Sequence, residues 1–240
     1  MTRLRWALFP LLAITLAVGQ TEDQYRRLIA HIQSALGLHA GSNVADIGTG
    51  EDPEHQLHIS KAIGDSGNVL CVDIDEMALE KLRGKLKEKG AANIKTHLGR
   101  ADDPLLPANA FDAVLISNAY HHFSQSAAML AHIRTALRPE GRLVVIESIS
   151  EKNRSLSRER QARDHELSPE ILVAEVTAAG FEIPNGAETL VDNGGVRRYL
   201  ISARVAREPI AKNFHRRRIQ TPPKPARLAL LAKMKKAHLL

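Results

Sequence analysis

The chain has 240 residues, 44% of them in the set AVILMFWYC, which suits one good-sized core with appendages rather than two full domains. Its one cysteine, Cys71 in the apolar run VLCV, excludes an intramolecular disulfide and a thiolate metal cluster and reads as a buried structural residue. The formal net charge of +6 gathers at one end: from Arg204 to Leu240, eleven Arg and Lys stand against the single acid Glu208. The rest is acidic on balance, which argues against a nucleic-acid-binding face on the core.

In chain order, the stretch MTRLRWALFPLLAITLAVGQ places Arg3 and Arg5 before an apolar run from Trp6 to Val18, with Ala17, Val18 and Gly19 as a small-residue cleavage site. Residues 1–19 are therefore expected to be an export signal, with mature protein starting near Gln20 in a periplasmic or extracellular setting. The run falls short of the ~20 apolar residues of a membrane span. An N-terminal helix packed on the domain and an uncleaved membrane anchor stay open as alternatives, leaving the protein cytoplasmic or membrane-associated.

The main domain is expected over residues 22–203, alternating short apolar runs with helical patterns. Asn43 to Ile47 reads as a strand, His55 to Ile63 as a helix and Asn68 to Val72 as the next strand. A charged-faced helix follows across MALEKLRGKLKEKG, with Met77, Leu79, Leu82 and Leu86 on its apolar side. Strands are predicted at Asn93 to His97 and Phe111 to Ile116, a helix at Gln125 to Leu137 and a fifth strand at Arg142 to Glu147. LRPEGRL reads as the turn between those last two. Such alternation requires a mostly parallel sheet, because each parallel return must cross over, usually through a helix. Near the end, Ser168 and Pro169 cap and start a helix that Gly180 closes. Glu182 to Leu190 and Arg197 to Ala203, separated by DNGG, predict an antiparallel hairpin added to the parallel core. Residues 204–240 form a basic peripheral tail, either an amphipathic helix touching anionic lipid or a partner, or a disordered solubilising segment.

The informative stretch is VADIGTGEDPEHQLH, residues 44–58. It sits at the carboxyl end of the first predicted strand, where ligands bind in open α/β sheets. Gly48 and Gly50 let the backbone approach a ligand, and Asp46 at the strand tip can hold the turn or accept from an amino group. Asp73, after the second strand, can bond both hydroxyls of a ribose, so the pair of features points to a nucleoside-containing cofactor. A dinucleotide fingerprint would need a third glycine where Pro53 stands, and Glu51, Asp52 and Glu54 crowd a place meant for anionic phosphate. Those acids better suit a cofactor carrying a sulfonium and an ammonium group. His121 and His122 are adjacent, which is not the spacing of a ligand pair on one helix face, so no metal site is expected. Asp112, at a strand start, reads as a turn or surface residue rather than a catalytic one.

Taken together, VADIGTG, VLCVDIDEMALEKL, ADDPLLPANAFDAVLISNAYHHF and LRPEGRLVVIES resemble the class I S-adenosylmethionine-dependent methyltransferases over roughly Glu22 to Ala203. The resemblance implies a Rossmann-like three-layer α/β sandwich, with a seven-stranded, mostly parallel sheet whose last strand is antiparallel. It also implies S-adenosyl-L-methionine as cofactor. Asp46, Gly48 and Gly50 match the family's first motif, and Asp73 matches its ribose-binding acid. Ala101 and Asp102 then become the adenine-edge residues, and Arg100 stands where an adenine-contacting acid is common. Asp52 replaces a glycine of many members. Asn118 can contact the methionine portion, while Tyr120, His121 and His122 can face the acceptor. The two histidines are candidates for acid–base catalysis or for a structural or gating role. The function so implied is methyl transfer to an unidentified, small or medium-sized acceptor. An exported ligand-binding protein that keeps the fold with little or no catalysis is the alternative.

Overall fold

A computed structural model describes residues 22–206 of the chain. The expected export signal lies outside the described residues, as does the basic tail beyond Ala206. Among the described residues no helix is long and apolar enough to cross a membrane.

The elements follow the alternation of the sequence. Helix α1 spans Glu22–Leu36, β1 Asn43–Ile47, α2 Glu54–Ile63, β2 Asn68–Asp73, α3 Glu76–Glu88, β3 Ile94–Leu98 and β4 Phe111–Ser117. A 3-10 turn at Tyr120–His122 leads to α4, Ser126–Ala136, then β5, Leu137–Ser150, α5, Arg158–Arg163, and α6, Pro169–Ala178. The chain closes with β6 Phe181–Glu182, β7 Ala187–Asp192 and β8 Val196–Val205. All eight strands join one sheet in the order β3-β2-β1-β4-β5-β8-β6, with β7 also paired to β8. Strands β1 to β5 are parallel, and β8 runs antiparallel to β5, β6 and β7. This is the Rossmann-like sandwich expected from the sequence.

The sheet interior is apolar on both faces because its strands alternate large aliphatic residues toward each helical layer. Val114, Ile116, Val145 and Ile149 share one core with α4 and α6 through Leu130, Ile133 and Leu172. Leu115, Val144 and Leu200 share the other with α1, α2 and α3 through Ile32, Ile59 and Leu82. Cys71 is free and fully buried in this second core, as its setting predicted.

The sequence reading passed over α1, although Leu28, Ile32 and Leu36 recur every four residues and are buried. Its C-terminal carbonyls of Ser34 and Ala35 accept from the Arg142 guanidinium at 3.2 and 3.3 Å, which ties this helix to β5. Strand β3 runs one residue later than expected. β5 starts at Leu137, not Arg142, because the LRPEG turn is absorbed as a bulge. Leu137 pairs with Phe111 and Arg142 with Ala113, so five residues of β5 advance against two of β4. The strand expected over Glu182 to Leu190 is split into β6 and β7 around Gly186, at φ +67°. The antiparallel partner to β8 is nevertheless in place. Asp112 accepts from the Asn43 amide at 2.8 Å and pairs with Arg138, fastening β1, β4 and β5 at the edge opposite the ligand-bearing loops. Its role is structural, as expected.

Candidate functional site

Strands β2 and β4 flank β1, and their chain crossovers run to opposite sides of it, so the carboxyl ends of β1 and β4 form the switch point of the sheet. Leaving β1, the chain turns at Gly48, φ +74°, and the amides of Gly48 and Thr49 donate to the Val72 carbonyl at 2.8 and 3.2 Å. A Cβ placed on Gly48 would lie 2.4 Å from the Cβ of Ala119, beyond the end of β4. The two loops therefore touch across the switch point. Gly50 differs: at φ +64°, an added Cβ would meet nothing within 4 Å, so its backbone faces open space at the sheet edge. Gly48→Ala combines left-handed strain with a clash and is expected to destabilise the fold by about 3 kcal/mol. Gly50→Ala carries the strain alone, about 1 kcal/mol. Urea unfolding of the two variants checks this order, and equal midpoints would overturn it.

Asp73 closes β2, and its carboxylate is clasped by backbone. One oxygen accepts from the Gly50 amide at 2.8 Å, the other from the Asp75 amide at 3.0 Å. The carboxylate remains partly exposed at the edge, where Ile74 and Leu98 present apolar side chains that are 57% and 46% exposed. An open glycine backbone, an acceptor carboxylate and two exposed aliphatic side chains at adjoining strand ends suit a sugar joined to a flat base. Asp46 lies behind this surface, 3% exposed, and accepts from the Gln56 amide and from Thr49. Of its two expected roles, the contacts are those of holding the turn. Burial pushes its carboxyl up to about 6, the nearby Asp73 adding a little, against the lowering effect of the Gln56 and Thr49 hydrogen bonds.

EDPEHQ, where the motif departs from its usual form, is a set of partnered residues. Glu51 pairs with Lys81 of α3 at 2.7 Å and approaches Lys85 at 3.9 Å. Asp52 accepts from the Glu54 amide at 3.3 Å at the entrance of α2, and Glu54 accepts from the Tyr25 hydroxyl. The Gln56 amide also donates to Thr49 at 2.8 Å. Proline at the third-glycine position thus starts a helix entrance held by side chains. Each of its three acids has a partner within the chain.

On the β4 side, Asn118 is exposed in the left-handed region, φ +52°, a conformation asparagine tolerates better than most residues. Its amide donates to the Ile146 carbonyl at 2.8 Å. Tyr120 was expected beside the acceptor; instead it is fully buried, with its hydroxyl donating to Glu175 at 2.8 Å, and Glu175 is held by Arg158 at 2.6 Å. That pair draws the phenol into the core. His121, 1% exposed, makes two contacts with the fully buried Glu147 of β5: its amide donates to Oε1 at 3.1 Å and its Nδ1 to Oε2 at 2.9 Å. Its Nε2 lies 3.0 Å from His122 Nε2, and the His165 ring packs edge-on to both, at centroid distances of 5.6 and 5.1 Å. Partial burial and the two neighbouring imidazoles push His122 down to about 4, so its ring is neutral at ordinary pH.

The structure therefore gathers Gly48, Gly50 and Asp73 at the switch point, with Asp46 behind them and Asn118, His121 and His122 beyond β4. Ala101 and Asp102 stand on the loop leaving β3, two and three residues after Gly99, whose amide donates to the Asp73 carbonyl at 2.9 Å. Ala101 is exposed and Asp102 partly so. The sequence reading missed Glu147 and His165. The signal for Glu147 was a charge closing the apolar run LVVI in a strand buried on both faces; His165 had no local signal.

A doubly wound sheet with a glycine turn and a strand-end carboxylate at its switch point is an α/β architecture suited to a nucleoside-containing ligand. Comparison with known proteins narrows the class. Residues 44–141 match the family described as a methyltransferase domain. The ubiquinone/menaquinone biosynthesis C-methyltransferase UbiE of Marinomonas sp. (strain MWYL1) is 31% identical over 130 residues, 53% of this chain and 51% of that protein. The chain spans about half the length of the curated relatives it matches. Among solved structures, a SAM-dependent methyltransferase from Aquifex aeolicus superposes with a TM-score of 0.64 at 19% identity, covering 74% of this chain and 89% of that one. The [4+2]-cyclase SpnF does so with a TM-score of 0.65 at 18% identity, covering 76% and 82%. In its fold and in the matched segment, the chain is similar to the class I S-adenosylmethionine-dependent methyltransferases.

Proposed function

We propose that the chain binds S-adenosyl-L-methionine at the β1–β4 switch point and transfers its methyl group to a small or medium-sized acceptor on the β4 side. The observation that carries this is the Asp73 carboxylate, locked to the Gly50 amide beside open space, with Ile74 and Leu98 exposed next to it. The residues present fit the cofactor: Asp73 takes the ribose hydroxyls, the Gly50 backbone admits the methionine portion, and Ile74 and Leu98 flank the base. Ala101 and Asp102 meet the adenine edge, and Asn118 meets the methionine end. The acids Asp52 and Asp46 bias this edge toward a positively charged ligand.

When bound, the cofactor supplies an electrophilic methyl on a sulfonium, so the chain's task is to align the acceptor and exclude water. His121, fixed by Glu147, and His122 form the polar group nearest the acceptor side. The relatives named above suggest a carbon acceptor, and this too is part of the proposal. SpnF, named for a cyclisation, shows that the fold alone does not fix the reaction, so turnover has to be measured directly. EDPEHQ, which favoured a binding protein without catalysis, is a partnered helix entrance and no longer favours it.

Calorimetry with S-adenosyl-L-methionine, followed by radiolabelled methyl transfer to fractions of host extract, tests the reading. No heat of binding would remove the cofactor assignment. Binding without transfer would favour the non-catalytic reading. In the active case His122→Ala should lower kcat about 100-fold with cofactor affinity within twofold of wild type, the pattern of an interaction used mainly in the transition state. Wild-type turnover in that variant would return His122 to a structural role.

A further inference from the structure

We infer that His121, His122 and His165 form a binding site for one divalent transition-metal ion of the zinc class. One ligand nitrogen from each lies within 4.8 Å of the other two. They come from two separate segments, the 3-10 turn after β4 and the loop after α5, so no local regularity accounts for their meeting. Two nitrogens bound to one tetrahedral zinc at ~2.0–2.1 Å stand ~3.3 Å apart, and the His121 and His122 Nε2 atoms are already at 3.0 Å. A single proton shared between those two atoms would account for that contact but not for the third ring.

The surroundings are those of a built ligand set. Glu147, as a carboxylate, only accepts, so His121 Nδ1 carries the proton and Nε2 turns its lone pair toward His122 and His165. This is the carboxylate–imidazole arrangement that orients metal-bound histidines. His165 is itself held in place at φ +59°: its amide donates to the Ala162 carbonyl at 3.1 Å, and the adjacent Glu166 accepts from the Ser150 hydroxyl at 2.7 Å and the Asn153 amide at 2.9 Å. His121 is buried, whereas His122 and His165 are exposed, so an ion there is reached from solvent. Three imidazole nitrogens suit zinc, cobalt, nickel or copper rather than magnesium or calcium, and leave a fourth position for water or for a heteroatom of a second ligand.

The inference is independent of methyl transfer, and its test uses neither cofactor nor acceptor. Untagged full-length protein, stripped with chelator, is loaded with Zn²⁺, passed through gel filtration and assayed for metal; Co²⁺ loading is followed by its visible absorption. The expected result is one equivalent of Zn²⁺ per chain and a four-coordinate Co²⁺ spectrum. His165→Ala, an exposed loop change that should not disturb folding, is expected to lose both. Glu147→Gln should bind Zn²⁺ 10- to 100-fold more weakly, as for other partners of metal-bound histidines, and the remote His31→Ala should behave as wild type. Substoichiometric Zn²⁺ in the wild type, or wild-type affinity in His165→Ala with an unchanged circular dichroism spectrum, would overturn the site.

Discussion

Asp73→Ala is expected to weaken the affinity for S-adenosyl-L-methionine by about 30- to 1000-fold, and by the same factor for S-adenosylhomocysteine. Losing charge-assisted hydrogen bonds to a ligand costs about 2 to 4 kcal/mol, and the ribose is common to both molecules. The side chain has a second task that the sequence did not reveal, since it accepts from the Gly50 and Asp75 amides. The variant should therefore also unfold more easily, by about 1 kcal/mol, because the glycine turn loses its anchor. Asp73→Asn separates the two: its amide oxygen can still accept from Gly50, so most of the stability should return while the affinity stays low. Calorimetry with both ligands and thermal unfolding without them measure the two effects. Affinity within threefold of wild type in Asp73→Ala would remove the carboxylate from the cofactor site.

The second large effect is a pH dependence centred on Asp46. Burial raises its carboxyl to about 6 in the folded chain from an ordinary value of 3.8. The folded state therefore holds this proton more tightly than the unfolded state. The stability it contributes is fully present below pH 3.8 and is lost as pH rises through about 6. Near pH 8 the buried charge costs up to about 3 kcal/mol, the free-energy equivalent of that shift. Asp46→Asn keeps an acceptor for Gln56 and carries no charge, so it should be more stable than wild type at pH 8 and lose that advantage by pH 4. Saturating S-adenosyl-L-methionine should narrow the gap at pH 8, because its positive sulfonium and ammonium groups favour the ionised form. S-adenosylhomocysteine should narrow it less. Thermal unfolding at the two pH values, with and without each ligand, measures this. Equal midpoints for wild type and variant at pH 8 would show that Asp46 carries no such penalty.

The parts of the site that were legible in the sequence are those whose chemistry is local. Gly48, Gly50 and Asp73 announce themselves because a turn at a strand tip needs left-handed backbone and the next strand tip supplies the acid. The alternation of β1 to β5 with helices was legible for the same reason, each apolar run being bounded by turn residues. What escaped depended on distant packing. Tyr120 looked like an acceptor-facing aromatic until Glu175 and Arg158, more than thirty residues on, drew it into the core. His165 carries meaning only next to His121. The spacing rule that set the histidine pair aside holds for a helix, and these residues sit on a 3-10 turn. Pro139 and Gly141 signalled an end to regular structure, yet the ladder with β4 resumes past them because β5 takes up the extra residues as a bulge. The departure at EDPEHQ was visible as a departure, but its meaning required Lys81, Tyr25 and Asp46, which only the fold brings to it.

The last described strand, β8, lies inside the sheet. It pairs with β5 across nine positions from Arg142–Arg204 to Ser150–Val196, and its other edge carries β6 and β7. A ribosome making this chain delivers β1 to β5 long before the strand that completes them, and until residue 205 has emerged β5 presents a bare hydrogen-bonding edge with the sequence LVVIESIS along it. During that interval the nascent chain is open to pairing with other strands, and protection by a chaperone matters most just then. Final closure is a late event that depends on pairs about fifty residues apart, while β1, β2 and β3 can pair first, each with a strand about 25 residues away.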